Sequence, residues 1–362
     1  MSNNFKTYLK NIKNDLSYDK PMTVVVGNEA ADLDSMATAV LYAYYLKSLD
    51  GAVNSVPLIN IPRADFKLRT EAVYLFDAAG IDSDELIFAE DLDLKRLNDK
   101  DLLSLILVDH NKLSTAHSEF LNCITGILDH HADEKQYPEG IFTDIRPVGS
   151  ASTLVGELFI KNAEETVSGP VGTLILGTIL LDTVNLDPDA GRVTDADSAV
   201  AEKIMAITGL DRKELFDKLQ FEKFNVSSLG SYDLLRKDYK EWQMGSVKCG
   251  IGSVLLPVED WIAKDPGIVS ACEKYLKERE LDVLFAMNAF TNPEFTRQIV
   301  VYIPDEDLRR KTIDFLEASD LGLSEIDSTS VEGSEKCAFY NQANLGISRK
   351  KLQPIIKDFF EK

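Results

Sequence analysis

Apolar residues in the first half of the chain come in short runs rich in Val, Ile and Leu, separated by stretches with helical spacing. "MTVVVGN" (22–28) reads as a buried strand, and "DSMATAVLYAYYLKSL" (34–49) as the helix after it. "LLSLILVDH" (102–110) and "CITGILDHH" (123–131) repeat the strand pattern, each ending in acidic and imidazole groups. "GSASTLVGELFIKN" (149–162) reads as a helix with Ser150 or Ser152 as N-cap. "VGTLILGTILLDT" (171–183) is too long for a typical strand and carries small residues at close spacing, so it reads as a buried helix. "DADSAVAEKIMAITG" (195–209) and "DRKELFDKLQFEKF" (211–224) read as amphipathic helices opened by Asp. Strands alternating with helices predict βαβ units and a parallel sheet.

The small-residue stretch "NVSSLGS" (225–231) reads as an interdomain linker. Beyond it the pattern restarts, with "VKCGIGSVLLP", "LDVLFAMNAF" and "RQIVVYIP" as strands, a helix around 266–279 and a closing helix from Lys350. The expected architecture is α/β in two domains: an N-terminal parallel-sheet domain over 1–224, the linker, and a smaller C-terminal α/β domain over 232–362. The length of 362 residues and the 44% apolar content suit two such cores.

Composition narrows the function classes. The longest apolar run, Val171 to Leu181, is too short to span a bilayer. "MSNNFKTYLKN" lacks the apolar core of a secretory leader. The four cysteines are scattered and form no C-x-x-C pair, which fits a reducing compartment. A cytoplasmic monomer without membrane partners is therefore expected. The formal net charge of −21 opposes nucleic acid at long range. An anionic substrate would need local cations or metal ions to hold it.

Candidate chemistry sits at the strand ends. "GNEAADLDS" offers Asp32 and Asp34, "VDHN" offers Asp109 and His110, and "LDHH" offers Asp129, His130 and His131. Asp182 in "LLDT" follows the longest apolar run. Taken singly, Asp34 serves equally well as a helix cap, and the pair Asp109–His110 as a turn. Together they fall where an open parallel sheet places its ligands, beyond the carboxyl ends of adjacent strands. Carboxylates with imidazoles make a mixed oxygen and nitrogen site suited to Mn²⁺, Mg²⁺ or Co²⁺, and two such ions form a clamp for phosphoryl chemistry.

These motifs resemble those of the DHH phosphoesterases, in the branch of family II inorganic pyrophosphatases, prune-type proteins and fungal-type cytosolic exopolyphosphatases. The resemblance covers almost the whole chain. "GNEAADLDS", "VDHN", "LDHH" and "LLDT" stand in the family's order, and "DYKEW" (238–242) and "SRKK" (348–351) resemble the basic motifs of the branch's C-terminal accessory domain. Three features favour exopolyphosphatase. Asn28 replaces a pyrophosphatase His, "NIPRADFKLRTEA" (60–72) resembles an exopolyphosphatase segment, and the Asp-His-His triplet is intact.

The resemblance implies an active site in the cleft between the domains. It implies two divalent ions, with Asp109 bridging them. Asp32 would join the first ion, with Asn28 a further candidate at the position of the missing imidazole. Asp34, His130 and Asp182 would hold the second. His131 would face a phosphate oxygen, and His110 would orient a ligand from behind. Lys240, Arg349 and Lys350 would bind phosphate, and Arg63 and Arg69 would extend the track. The implied reaction removes the terminal phosphate of linear inorganic polyphosphate and releases orthophosphate. Pyrophosphatase and prune-like phosphoesterase activity on cyclic nucleotides or short polyphosphate are the alternatives. A prune-like interaction protein without chemistry fits less well, because the ligand set is complete.

Overall fold

A computed structural model of the chain describes residues 2–51, 53–167, 169–291, 293–329 and 331–362. The chain forms two compact units, Met1–Phe224 and Asn225–Lys362. The first contains five parallel strands, β1 (Met22–Val26), β2 (Ser55–Leu58), β3 (Leu103–Val108), β4 (Ile124–Asp129) and β5 (Phe142–Ile145), in the order β2-β1-β3-β4-β5. Val26 pairs with Leu107, and Val108 with Leu128. The segments that follow β1, β3 and β4 therefore leave the sheet at one edge, side by side.

The strand sequences are nearly all apolar because both faces are covered. Val25, Ile106, Val108 and Leu128 belong to the cluster built with the Leu33–Leu49 and Gly169–Asp182 helices. Val24, Val26, Leu105, Leu107 and Ile127 alternate with them and pack on the opposite face. Every residue from Val171 to Leu181 is buried, and the Gly169–Asp182 helix packs against six others, among them Leu33–Leu49, Ala151–Asn162 and Asp195–Thr208. Truncating a side chain such as Leu176 at its centre costs about 2–5 kcal/mol. Ser150 caps the Ala151–Asn162 helix. The Asp195–Thr208 helix is capped by Thr194, whose partner in a capping box is Asp197.

The second unit holds a mixed sheet of β6 (Tyr239–Met244), β7 (Val247–Val254), β8 (Val283–Thr291), β9 (Phe295–Tyr302), β10 (Leu323–Glu325) and β11 (Cys337–Gln342), in the order β10-β11-β9-β8-β7-β6. β7 and β8 are parallel and the other neighbouring pairs antiparallel. The β7–β8 crossover carries two helices, Val258–Lys264 and Ile268–Arg279. The stretch read as an interdomain linker packs on this unit. Val226 and Leu229 are buried, and Lys264 Nζ donates to the carbonyls of Val226 and Ser227. Ser231 opens a helix and accepts the indole N–H of the buried Trp261 at 2.8 Å. Composition alone could not separate these packing roles from a tether. Among the described residues no helix is long and apolar enough to cross a membrane.

Candidate metal centre

Beyond β1 the chain turns through Gly27 into the Leu33–Leu49 helix. A Cβ on Gly27 would lie 2.4 Å from Ser35 Oγ and 2.8 Å from the Ser35 carbonyl, so glycine alone lets the strand end approach the helix this closely. Asp32 caps the helix, accepting the Ser35 N–H at 3.0 Å. Asp34, in the first turn and 3% exposed, accepts from Thr38 Oγ1, Ser150 Oγ, and the N–H groups of Ala151 and Ser152 at 2.6–3.0 Å. It thus sits over the N-terminus of the Ala151–Asn162 helix, whose free amides favour a carboxylate.

Asp109 follows β3 with φ +60°, in the left-handed region that non-glycine residues seldom adopt. Its N–H still reaches the Leu128 carbonyl at 2.9 Å, so the turn aims the carboxylate without losing a backbone bond. Asp109 Oδ1 lies 3.1 Å from His130 Nε2, and Asn28 Nδ2 donates to Oδ2 at 2.8 Å. His130 Nδ1 donates to the Val148 carbonyl at 2.9 Å, which leaves Nε2 facing Asp109 and, at 3.7 Å, Asp34. His131 Nδ1 donates to Asp129 Oδ1 at 2.8 Å, and this half-exposed ring keeps Nε2 for a ligand. Asp129 is fully buried and also accepts the His130 and His131 N–H groups and the Asn111 amide.

Asp182 ends the apolar Gly169–Asp182 helix, and its buried Oδ2 has no hydrogen-bond partner among the described residues. Val184, Asn185 and Leu186 then run through three consecutive left-handed conformations, with φ of 52–60°. Arg212 holds this run through the Asn185 side chain and carbonyl, and Leu186 N–H reaches Thr183 Oγ1 at 3.0 Å.

Asp32, Asp34, Asp109, His130, His131 and Asp182 line one cavity of about 540 Å³. Burial, with Asp34 close by, pushes the Asp109 carboxyl up to about 8. The same causes raise Asp32 and carry Asp182 well above the usual carboxylate range. Burial works against protonation of His130, but its bond to Asp109 and the charge of Asp34 outweigh that and raise it to about 10. A cluster so crowded with negative charge fits divalent cations. The orphaned Asp182 oxygen and the fixed His130 Nε2 are donors of the right kind. The donor atoms of Asp109, His130 and His131 lie within 4.8 Å of one another. Since His131 Nδ1 is committed to Asp129, Asp109 and His130 are the freer candidate donors of that group.

Other expected residues lie differently. Asn28 does not offer its amide oxygen to the cluster. Oδ1 accepts the Ala31 N–H at 3.1 Å, and the amide holds Asp109 instead. The Nδ1 of His110 meets its own chain at the Val108 carbonyl, 2.9 Å away. Arg63 is not a free phosphate contact, because its fork is taken by Asp91 and by the carbonyls of Ser83 and Leu86. Arg69 donates to the Ala30 carbonyl at 2.8 Å and so braces the loop that carries Asp32. In the second unit Lys240 and Lys350 are exposed, while Arg349 makes a two-pronged contact with Asp238, at 2.8 Å to its carbonyl and 2.7 Å to its carboxylate. Two residues were not anticipated. Asn111 (in the quoted "VDHN") ties Asp129 to the Ala132 carbonyl, and Arg192 lines the same cavity as the acidic cluster.

The chain is 34% identical over 359 residues to exopolyphosphatase PRUNE1 of Rattus norvegicus, covering 97% of this chain and 78% of the relative. It is 33% identical to the Homo sapiens protein of the same name, at the same coverage. It is 28% identical over 266 residues to the manganese-dependent inorganic pyrophosphatase of Methanothrix thermoacetophila, covering 73% of this chain and 79% of that one. The model of the DHH family N-terminal domain matches residues 22–180, and that of the DHHA2 domain matches residues 217–359. The chain therefore belongs to the DHH family, with a DHHA2 domain following its DHH domain.

Proposed function

We propose that this protein is a metal-dependent exopolyphosphatase that hydrolyses the terminal phosphoanhydride of linear inorganic polyphosphate. Water adds to the terminal phosphorus, the bond to the bridging oxygen breaks, and orthophosphate leaves a chain one unit shorter. The observation that carries the reading is the convergence of four carboxylates and two imidazoles on one cavity, with a buried Asp182 oxygen left unpartnered. The names of the PRUNE1 relatives support polyphosphate as the substrate.

Asp109, with Asp32 on one side and Asp34, His130 and Asp182 on the other, is proposed to hold two divalent ions. What such ions supply when bound is Lewis acidity toward water and phosphoryl oxygens. The protein's own residues do the rest. Asn28 fixes one Asp109 oxygen, leaving the other toward His130. Asp129 keeps the proton on His131 Nδ1, so that Nε2 can meet a phosphate oxygen. Arg349, Lys240 and Lys350 are proposed to carry phosphate charge, and Arg349 must then exchange its Asp238 partner for substrate or share it.

The test is initial rates on long-chain polyphosphate, tripolyphosphate, pyrophosphate and cyclic AMP, each with Mg²⁺ and with Mn²⁺. Release of orthophosphate from the two longer substrates, with pyrophosphate slower, is expected. Fastest turnover of pyrophosphate would favour the second reading, which the 28% identical pyrophosphatase supports. No release from any chain would overturn both.

A further inference from the structure

We infer that Arg192 is the substrate-holding cation of the first unit and engages the phosphates beyond the scissile bond; this rests on the polyphosphate reading above. Charge balance creates the need. The cavity is lined by Asp32, Asp34, Asp109 and Asp182, so two divalent ions (+4) against four carboxylates (−4) leave no positive excess for a polyanion. Pyrophosphate can satisfy its charge on the ions and on His131. Each added phosphate brings negative charge that the two ions do not meet and that, within the first unit, only a cation of the cavity can, in a protein whose net charge of −21 gives no long-range attraction. Arg192 is the one Lys or Arg among the described residues lining that cavity.

Its surroundings set Arg192 apart from the other arginines of this unit. Arg63, Arg69, Arg146 and Arg212 are tied to carboxylates or to amide and backbone carbonyls, and Arg96 lies over the Tyr18 ring at 4.4 Å. Among the described residues nothing engages the guanidinium of Arg192, which is exposed. Its backbone, by contrast, is pinned. Asp197, fully buried, accepts the Gly149 N–H through both oxygens at 3.0 and 2.9 Å, and Thr153 Oγ1 at 2.5 Å. It also accepts the N–H and Oγ1 of Thr194, both at 2.7 Å. This clips the 191–194 loop to the turn before the Ala151–Asn162 helix. Gly149 passes so close that a Cβ would lie 2.7 Å from the Arg192 carbonyl and 2.8 Å from Asp197 Oδ2. The preceding residue, Val148, holds His130 Nδ1 through its carbonyl. Arg192 is thus a free, planar, permanently charged fork on a backbone fixed relative to the His130 imidazole, so that binding phosphate orders the side chain but not the loop.

Arg192→Gln and Arg192→Lys test this in the metal-loaded, full-length protein at fixed ionic strength. Arg192→Gln should raise KM for tripolyphosphate about tenfold, with kcat and the KM for pyrophosphate changed by less than about twofold. Arg192→Lys should recover most of the loss. Melting temperature and metal affinity by isothermal titration should match wild type. An unchanged KM for tripolyphosphate, an equal rise for both substrates, or a loss of metal binding would overturn the inference. If wild type hydrolyses none of these substrates, the polyphosphate reading fails separately. Binding of tripolyphosphate to the metal-loaded protein then decides on Arg192: weaker binding by Arg192→Gln upholds it, and equal or absent binding overturns it.

Discussion

Asp182→Asn should make the metal-free protein more stable and the metal-loaded protein less so. In the metal-free protein Asp182 Oδ2 is buried without a partner, and burial with the charges of Asp34 and Asp32 raises its carboxyl well above the usual range. An asparagine keeps the shape and turns that oxygen into a donor facing carboxylates. Relief of one unsatisfied buried polar group is worth about 1–3 kcal/mol. In a unit of this size that is a rise in Tm of roughly 2–12 °C, at about 2–4 °C per kcal/mol. Wild type gains about 2.7 kcal/mol when a divalent ion is present at about 100 times its Kd, and the variant should lose most of that gain.

The pH dependence follows from the sign of the shift. A carboxyl raised in the folded state contributes stability that is full below its ordinary pKa and is lost as pH climbs through the folded one. Metal-free wild type should therefore melt progressively earlier as pH rises above the ordinary carboxylate range, and the variant should show a shallower slope. Thermal melts across pH, with chelator and with Mn²⁺, read all three effects. A lower Tm in chelator together with an unchanged Mn²⁺ shift would make Asp182 a structural carboxylate and remove it from the centre.

Asp109→Asn should lower kcat by at least about 10³-fold, on the order of 4 kcal/mol, and reduce the number of ions bound; near-normal turnover with full occupancy would exclude Asp109 as the bridge. Asn111→Ala should lower kcat about tenfold with metal affinity kept, because it frees Asp129 and hence His131; a pH profile of kcat that does not move would mean that Asn111 only supports the fold. Metal entry at pH 7 should expel about one to two protons, since Asp109 near 8 and His130 near 10 both hold protons there, and affinity should rise with pH. Titration calorimetry in two buffers of different ionisation enthalpy measures this release, and identical heats would refute it.

The strand ends were legible because a parallel sheet converts three separated motifs into neighbours, and the Asp109, Asp129 and His130 positions follow from that alone. The buried helix before Asp182 was legible for a related reason: eleven residues in succession, apolar or small but for two threonines, must be covered on all sides. The partners of Asn28, Arg63 and Arg69 were not legible, because sequence shows a polar group but not what already occupies it. An Arg near an acidic cluster reads as a substrate contact until Asp91 and two carbonyls are seen to fill its fork. Arg192 escaped notice for the opposite reason. It lies ten residues past Asp182 in a loop without periodicity, and only the folded path returns it to the cavity. The stretch 225–231 shows the same limit, since Val226, Leu229 and Ser231 carry packing roles that a small-residue composition conceals.

The left-handed run from Val184 to Leu186 bears on how this enzyme can be improved. Three such residues make nearly one turn of a spiral opposite in hand to the helix they follow, and this lets the chain double back at once after Asp182. A branched valine is among the least suited residues for that shape, and Gly at position 184 would remove a strain of about 1–2 kcal/mol. The same change would let the turn wander, and the aim of Asp182 with it. Val184→Gly should therefore give a protein that melts higher and works several-fold more slowly, measurable as a raised Tm beside a lowered kcat/KM. A screen for thermal robustness would select this variant, and a screen for turnover would discard it. The wrong-handed turn thus marks where the molecule gives up durability to keep a carboxylate on target.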